Sequence, residues 1–122
     1  MIGYTVVGTN DKDKAAAFYD KLMGALGAKR MMEMDRFIMW GTGFDKPGFA
    51  IALPYDKEPA TRGNGTMIAL AVNSKEKVDE IYKLALEMGG TDEGAPGNRG
   101  PTFYAGYFRD LDGNKLNAFC MG

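Results

Sequence analysis

The sequence predicts an α+β fold built from two tandem βαβββ modules. Three observations lead there. Two stretches carry apolar residues at helical spacing, each preceded by a short strand and followed by strand-like segments. Residues at matching places in the two stretches lie 63 positions apart: Tyr19 and Tyr82, Asp11 and Ser74, Gly27 and Gly90, Lys12 and Lys75, Lys14 and Lys77. The 122 residues suffice for one compact domain, or for two small modules fused into one.

The first strand is Tyr4-Thr5-Val6-Val7, and Asp11 is placed to cap a helix over Lys12 to Leu26. Ala15, Phe18, Tyr19, Leu22 and Leu26 form its apolar face, and Gly27 stops it. Arg30–Glu33, Arg36–Trp40 and Gly48–Leu53 follow as strands, punctuated by Gly41, Gly43 and Pro47. A linker over 57–65 separates module one (1–56) from module two (66–122), within one domain over 1–122. Module two repeats the plan. Met67 to Val72 is a strand and Ser74 a cap. A helix runs to about Met88, with Val78, Ile81, Tyr82, Ala85 and Met88 on one face. Gly89-Gly90 ends it. Strands follow at Thr91 to Glu93, Thr102–Arg109 and Asn114–Cys120, and Gly113 suits the last hairpin turn. A βαβββ unit has a sheet face that its one helix cannot cover. Two units side by side make one curved mixed sheet, helices on the convex face and a ligand hollow on the concave face.

Composition narrows the chemistry. Lys plus Arg is 15 and Asp plus Glu is 16, for a net charge of −1, with no basic stripe for nucleic acid or a membrane surface. No apolar run is long enough to span a bilayer. The single cysteine, Cys120, has no internal disulfide partner, so a cytoplasmic setting is expected. There is no histidine. That excludes Ser-His-Asp and Cys-His triads and every His-containing metal site.

Asn10-Asp11, separated by six residues from Phe18-Tyr19, the paired modules, and the phrase Phe108-Arg109-Asp110-Leu111-Asp112-Gly113-Asn114-Lys115-Leu116 together resemble the vicinal oxygen chelate superfamily. Its members include glyoxalase I, extradiol dioxygenases and the fosfomycin- and bleomycin-resistance proteins. Leu111 stands where the family usually has proline. The resemblance covers nearly the whole chain and implies a homodimer. It also implies a divalent metal held by two side chains per module, on the first and last strands. Carried over residue by residue, those positions are Tyr4, Ala52, Met67 and Asn117. Alanine has no donor atom, methionine offers a soft thioether, asparagine a neutral oxygen, and tyrosine binds well only as phenolate. No metal and no cofactor are therefore expected at the family position.

Strand alternation places Val6, Ala50, Ala69 and Phe119 in the hollow with those four, and packs Ile51, Leu53, Ile68, Leu70, Val72, Leu116, Ala118 and Cys120 under the helices. Met39, Trp40, Tyr104 and Phe108 are candidates to extend the hollow, though such residues also fill minor cores. One of Arg36, Arg99 and Arg109 at its mouth would clamp an anion; the alternative is a solvated guanidinium. Gly94 to Gly100 reads as a mobile loop that would serve as a lid. Asp110 to Asn114 reads as a turn and not a calcium loop. Met31, Met32 and Met34 suit a subunit contact or edge-strand packing.

The expected function is binding of a small apolar or aromatic molecule, with Tyr4, Ala52, Met67, Asn117, Phe119 and Trp40 as ligand-binding residues. The alternative is a glyoxalase-like lyase or isomerase that uses a non-family acid or base, Tyr4 or Glu33. A third class is a partner protein that keeps the fold for dimerisation.

Overall fold

The computed structural model describes residues 1–122. The chain divides into two compact units, Met1–Arg62 and Gly63–Gly122. The division falls inside the segment 57–65.

Unit one contains β1 (Tyr4–Gly8), α1 (Lys12–Ala25), β2 (Lys29–Met34), β3 (Phe37–Gly41) and β4 (Gly48–Ala52). Unit two contains β5 (Ile68–Ala71), α2 (Lys75–Glu87), β6 (Thr91–Asn98), β7 (Phe103–Arg109) and β8 (Lys115–Met121). Both are βαβββ. The strands form two four-stranded sheets, β1-β4-β3-β2 and β5-β8-β7-β6, where the sequence suggested one continuous sheet. In each, the first strand pairs in parallel with the last, which a crossover helix makes possible, and the other pairs are antiparallel.

The caps explain where the helices begin. Asp11 and Ser74 are extended, and each side chain accepts a hydrogen bond from the N–H three residues on, Lys14 and Lys77, at 3.1 Å. The helix ends differ from the repeat. The left-handed glycine after α1 is Gly27, but after α2 it is Gly89, not Gly90. Helix α2 has 13 residues and α1 has 14, so the 63-residue offset becomes 62 at the C-caps Leu26 and Met88. Gly90 is needed for space. A Cβ there would stand 2.7 Å from the Arg109 carbonyl oxygen and 2.8 Å from that of Ala85.

Each helix covers one side of its own sheet. In unit one, Phe18, Tyr19 and Leu22 of α1 are buried with Ile38, Trp40, Phe49 and Ile51. The Tyr19 ring lies 4.7 Å from Phe49 and 5.9 Å from Trp40. In unit two, Val78, Ile81 and Ala85 are buried with Phe108, Leu116 and Ala118. Cys120 is a buried free thiol, as expected.

Residues 94–98 differ from expectation. They continue β6 along β7, pairing Gly94 with Tyr107, Gly97 with Ala105 and Asn98 with Tyr104, with two register shifts. This is a bulged edge strand, not a lid loop. Pro96 is tolerated because an edge strand leaves one row of N–H groups unpaired. Gly106 admits its ring, since a Cβ there would stand 2.9 Å from Pro96 Cγ.

Candidate functional site

The side of the unit-one sheet away from α1 is set by register. Tyr4 pairs with Gly48, Val6 with Ala50, Met39 with Ala50 and Phe37 with Ala52. Tyr4, Val6, Phe37, Met39, Ala50 and Ala52 therefore share one face. Met32 pairs with Met39 and Met34 with Phe37, which adds two thioethers to it. The register shift between Arg30 and Met32 adds Met31.

That face holds a cleft of about 460 Å³. Its lining includes Met31, Met32, Met34 and Met39, the rings of Tyr4, Phe37 and Phe44, and the cations Arg36 and Lys46. Tyr4 and Phe37 meet edge to face at 5.9 Å. Two glycines leave room for the sulfurs. A Cβ on Gly41 would stand 2.8 Å from Met31 Sδ, and one on Gly48 would stand 2.9 Å from Met39 Sδ. Met32 and Met34 remain 40% and 53% exposed on the edge strand. Exposed thioethers beside aromatic rings make an adaptable apolar surface.

The residues expected in the site separate by register. Tyr4 lines the cleft, and Ala52 lies on the same face. Trp40 does not belong there. It pairs with Phe49 on the helix side, is buried against Tyr19, and its Nε1 donates to Asp20 Oδ1 at 3.0 Å. Phe108 and Tyr104 are also on the helix side of their sheet: Phe108 is opposite Leu116, and the Tyr104 hydroxyl donates to Asp79 Oδ1 on α2 at 2.7 Å. Glu33 is likewise outside the cleft and is paired with Arg30 at 2.8 Å. Met39 does line the cleft, but Met31, Met32, Met34, Arg36, Phe44 and Lys46 complete it. The alternation Met32-Glu33-Met34, two thioethers facing one way and a charge the other, was the signal available in the sequence.

In unit two, Asn117 pairs with Ala69 and Tyr107, and Phe119 with Ala71 and Ala105, on the side away from α2. Phe119 stacks on Phe103 at 5.3 Å. Met67 immediately precedes β5 and is half-exposed. Asn117 is 1% exposed, and its Oδ1 has no hydrogen-bond partner within the chain. By register, the residue matching Asn117 in unit one is Ala50, which faces Val6 as Asn117 faces Ala69. Ala52 lies two residues beyond. Either alanine leaves the family's metal position without a donor, so the side chains there do not fit a divalent cation.

The arginines differ in their partners. Arg30 bridges Asp20 and Glu33, and Arg109 pairs with Glu93 and donates to the Gly113 carbonyl at 2.8 Å. Arg99 donates to the Ala95 carbonyl at 2.7 Å and lies over Tyr107. Arg36 donates to the Leu53 carbonyl at 2.8 Å and lies over Tyr55, with no carboxylate partner. The Arg30 hydrogen bond, with a smaller contribution from Trp40, holds Asp20 below the usual carboxylate range. Asp92 is lowered by the Tyr82 hydroxyl, which is raised in turn. The Asp110–Asn114 segment is a turn, as expected. Asp110 Oδ1 accepts from the N–H groups of Asp112 and Asn114, both at 2.9 Å, and Oδ2 from Asn114 Nδ2.

A sequence profile of the Glyoxalase/Bleomycin resistance protein/Dioxygenase superfamily matches residues 1–118. No match was found among curated proteins. Among solved structures, a glyoxalase/bleomycin resistance protein from Albidiferax ferrireducens T118 is 33% identical with a TM-score of 0.91. The match covers 100% of this chain and 99% of that one. A glyoxalase/bleomycin resistance protein/dioxygenase family enzyme from Burkholderia phytofirmans PsJN is 20% identical with a TM-score of 0.81, covering 98% of both chains. Lactoylglutathione lyase from Agrobacterium tumefaciens is 20% identical with a TM-score of 0.71, covering 98% of this chain and 92% of that one. No helix here is long and apolar enough to cross a membrane.

Proposed function

We propose that this chain, which belongs to the Glyoxalase/Bleomycin resistance protein/Dioxygenase superfamily, binds a small apolar or aromatic compound in the cleft of unit one. The observation that carries the reading is the lining: four thioethers and three aromatic rings around about 460 Å³. That volume lies within the range of about 300–1,000 Å³ usual for small-molecule sites. Binding here needs no metal. Apolar area drives it, and the Tyr4 hydroxyl supplies a hydrogen bond. Met67, Asn117 and Phe119 are proposed as ligand-binding residues on the open face of the unit-two sheet. The reading includes a homodimer, as the family resemblance implies, and a cytoplasmic setting, as the lone thiol suggests.

Titration with the neutral fluorophore N-phenyl-1-naphthylamine tests the cleft. Met34→Asp puts a carboxylate into the apolar wall from an exposed edge position, where folding is not at stake. It is expected to weaken binding by about tenfold or more, the cost of leaving a charge against apolar surface. Equal binding by both proteins would sink the assignment.

The second reading, a glyoxalase-like lyase or isomerase, is favoured by one feature. Tyr4 places a proton-carrying hydroxyl group at the cleft itself, whereas Glu33 lies outside it. A turnover lost in Tyr4→Phe with substrate affinity retained would support this reading over simple binding.

A further inference from the structure

We infer that the ligand of the unit-one cleft is an organic anion: a flat or flexible apolar body ending in a carboxylate or sulfonate held at the rim by Arg36 and Lys46. The inference rests on the reading that this cleft is the binding site, and it adds the charge of the ligand. The cleft lining contains two cations and no Asp or Glu. In a chain whose acidic residues outnumber its basic ones, 16 to 15, that one-sided lining is a local departure from the mean.

Arg30, Lys77 and Arg109 each pair with a carboxylate. Arg36 and Lys46, like Arg99 and Lys115, do not, and what sets the two apart is that both line this cleft. Arg36 is not loose, however. Its Nη1 donates to the Leu53 carbonyl at 2.8 Å, and its guanidinium lies 5.2 Å over the Tyr55 ring. Those two contacts orient the planar group and leave its remaining donors for an oxyanion. Lys46 belongs to the turn closed by its own N–H on the Gly43 carbonyl at 3.1 Å, with Phe44 two residues before it. Arg36 also borders the neighbouring cleft, with Asp35 and Glu58, while neither Asp35 nor Asp45 is among the residues that line the methionine cleft. The same lining thus presents thioethers, rings and two cations, with no carboxylate among them. An apolar cation would meet repulsion there, and a neutral compound would leave both charges unused.

The probe pair is 8-anilinonaphthalene-1-sulfonate and N-phenyl-1-naphthylamine, which share one anilinonaphthalene body and differ by the sulfonate. Each is titrated into the full chain by fluorescence, and mutual displacement establishes a common site. The sulfonate is expected to bind about tenfold more tightly than the neutral probe at low salt, with the ratio shrinking in 0.5 M NaCl as screening predicts (about 3–5 Å Debye length). In Arg36→Gln/Lys46→Gln the ratio should fall close to one. Arg36→Lys should retain most of it, which guards against a mere loss of the Leu53 contact. Lys115→Gln, a charge removed from the other sheet, should leave it in place. Equal affinities for the two probes in the wild-type protein, or a ratio indifferent to Arg36 and Lys46, would overturn the anion while the cleft stood. Failure of the neutral probe to bind at all, with sulfonate binding untouched by Met34→Asp, would overturn the cleft reading itself and this inference with it.

Discussion

Tyr19 and Tyr82 occupy the same place in the repeat and do different work. Tyr19 is fully buried, its ring among Phe18, Trp40 and Phe49. Tyr82 is half-buried, and its hydroxyl donates to Asp92 Oδ1 at 2.7 Å. The two units follow the same contrast throughout. Unit one joins helix to sheet with aromatic packing and the Asp20–Arg30–Trp40 cluster. Unit two joins them with aliphatic side chains packed around Phe108 and two tyrosine–aspartate hydrogen bonds, Tyr82 to Asp92 and Tyr104 to Asp79. On their open sides, one sheet carries a methionine cleft and the other a stacked Phe103–Phe119 pair beside a buried asparagine. A duplicated backbone plan therefore preserves caps and pairing while the faces diverge. Caps satisfy backbone groups that every helix exposes, whereas a face only has to match its own neighbours.

The largest break in the symmetry should come from truncating the two tyrosines. Tyr19→Ala is expected to cost about 3–5 kcal/mol, the usual range for a buried aromatic side chain. Tyr82→Ala should cost about 1–2 kcal/mol, one hydrogen bond and part of a ring. Urea denaturation followed by circular dichroism measures both, and equal losses would refute the division of roles.

Next in size is the last hairpin. Asp110 is buried and accepts from three N–H groups of its own turn, so Asp110→Ala should cost about 2–3 kcal/mol by leaving those donors unpaired. Asp45→Ala, in the corresponding connection of unit one, is exposed and should cost about 0.5 kcal/mol or less.

Ligand binding distinguishes the open faces more finely. With N-phenyl-1-naphthylamine as probe, Met34→Asp reports on unit one and Met67→Arg on unit two. If Met67, Asn117 and Phe119 bind a ligand on the unit-two face, Met67→Arg should weaken binding about threefold to tenfold, and less than Met34→Asp does. The reverse order would move the main site to unit two.

The smallest effect is acid sensitivity. Asp20 has a lower pKa folded than unfolded, so the folded state binds fewer protons at mildly acidic pH. The stability it contributes is complete above the usual carboxylate pKa and is lost as pH falls through the lowered folded value. The pair is open to solvent, so about 0.5 kcal/mol is at stake. Trp40 is the only tryptophan and sits on Asp20, so its fluorescence reports this transition in unit one. Between pH 6 and pH 3, the midpoint should fall less in Asp20→Asn than in the wild-type protein; an identical fall would remove Asp20 from the acid response.

Much of this organisation could be read from residue order, and the exceptions have physical causes. Asp11 and Ser74 announce their helices because a capping side chain acts on the N–H three residues away, a purely local relation. The open-face parity of Tyr4, Ala52, Asn117 and Phe119 follows from strand geometry. Trp40 went to the other side because Phe37-Ile38-Met39-Trp40 is apolar at every position. Alternation is silent in such a run, and pairing with Phe49 decides. Residues 94–98 carry Gly, Ala and Pro with no alternation, and they become a strand only because Tyr107, Ala105 and Tyr104 supply the partners. Gly89 replaced Gly90 as the left-handed stop because α2 is one residue shorter, while the Arg109 and Ala85 carbonyls require Gly90 to lack a side chain.

By itself, then, the sequence determined the two βαβββ modules, the caps, the aspartate turn and the absence of any histidine chemistry. All of these depend on neighbours within a few residues or on composition. Tertiary structure alone decided which methionines face which way and that glycines 41 and 48 leave room for sulfur. It also decided that Arg36 and Lys46 line that cleft while no Asp or Glu does. Those relations join residues from β1, β2, β3, β4 and the connections between them, and only strand pairing brings such distant positions onto one surface.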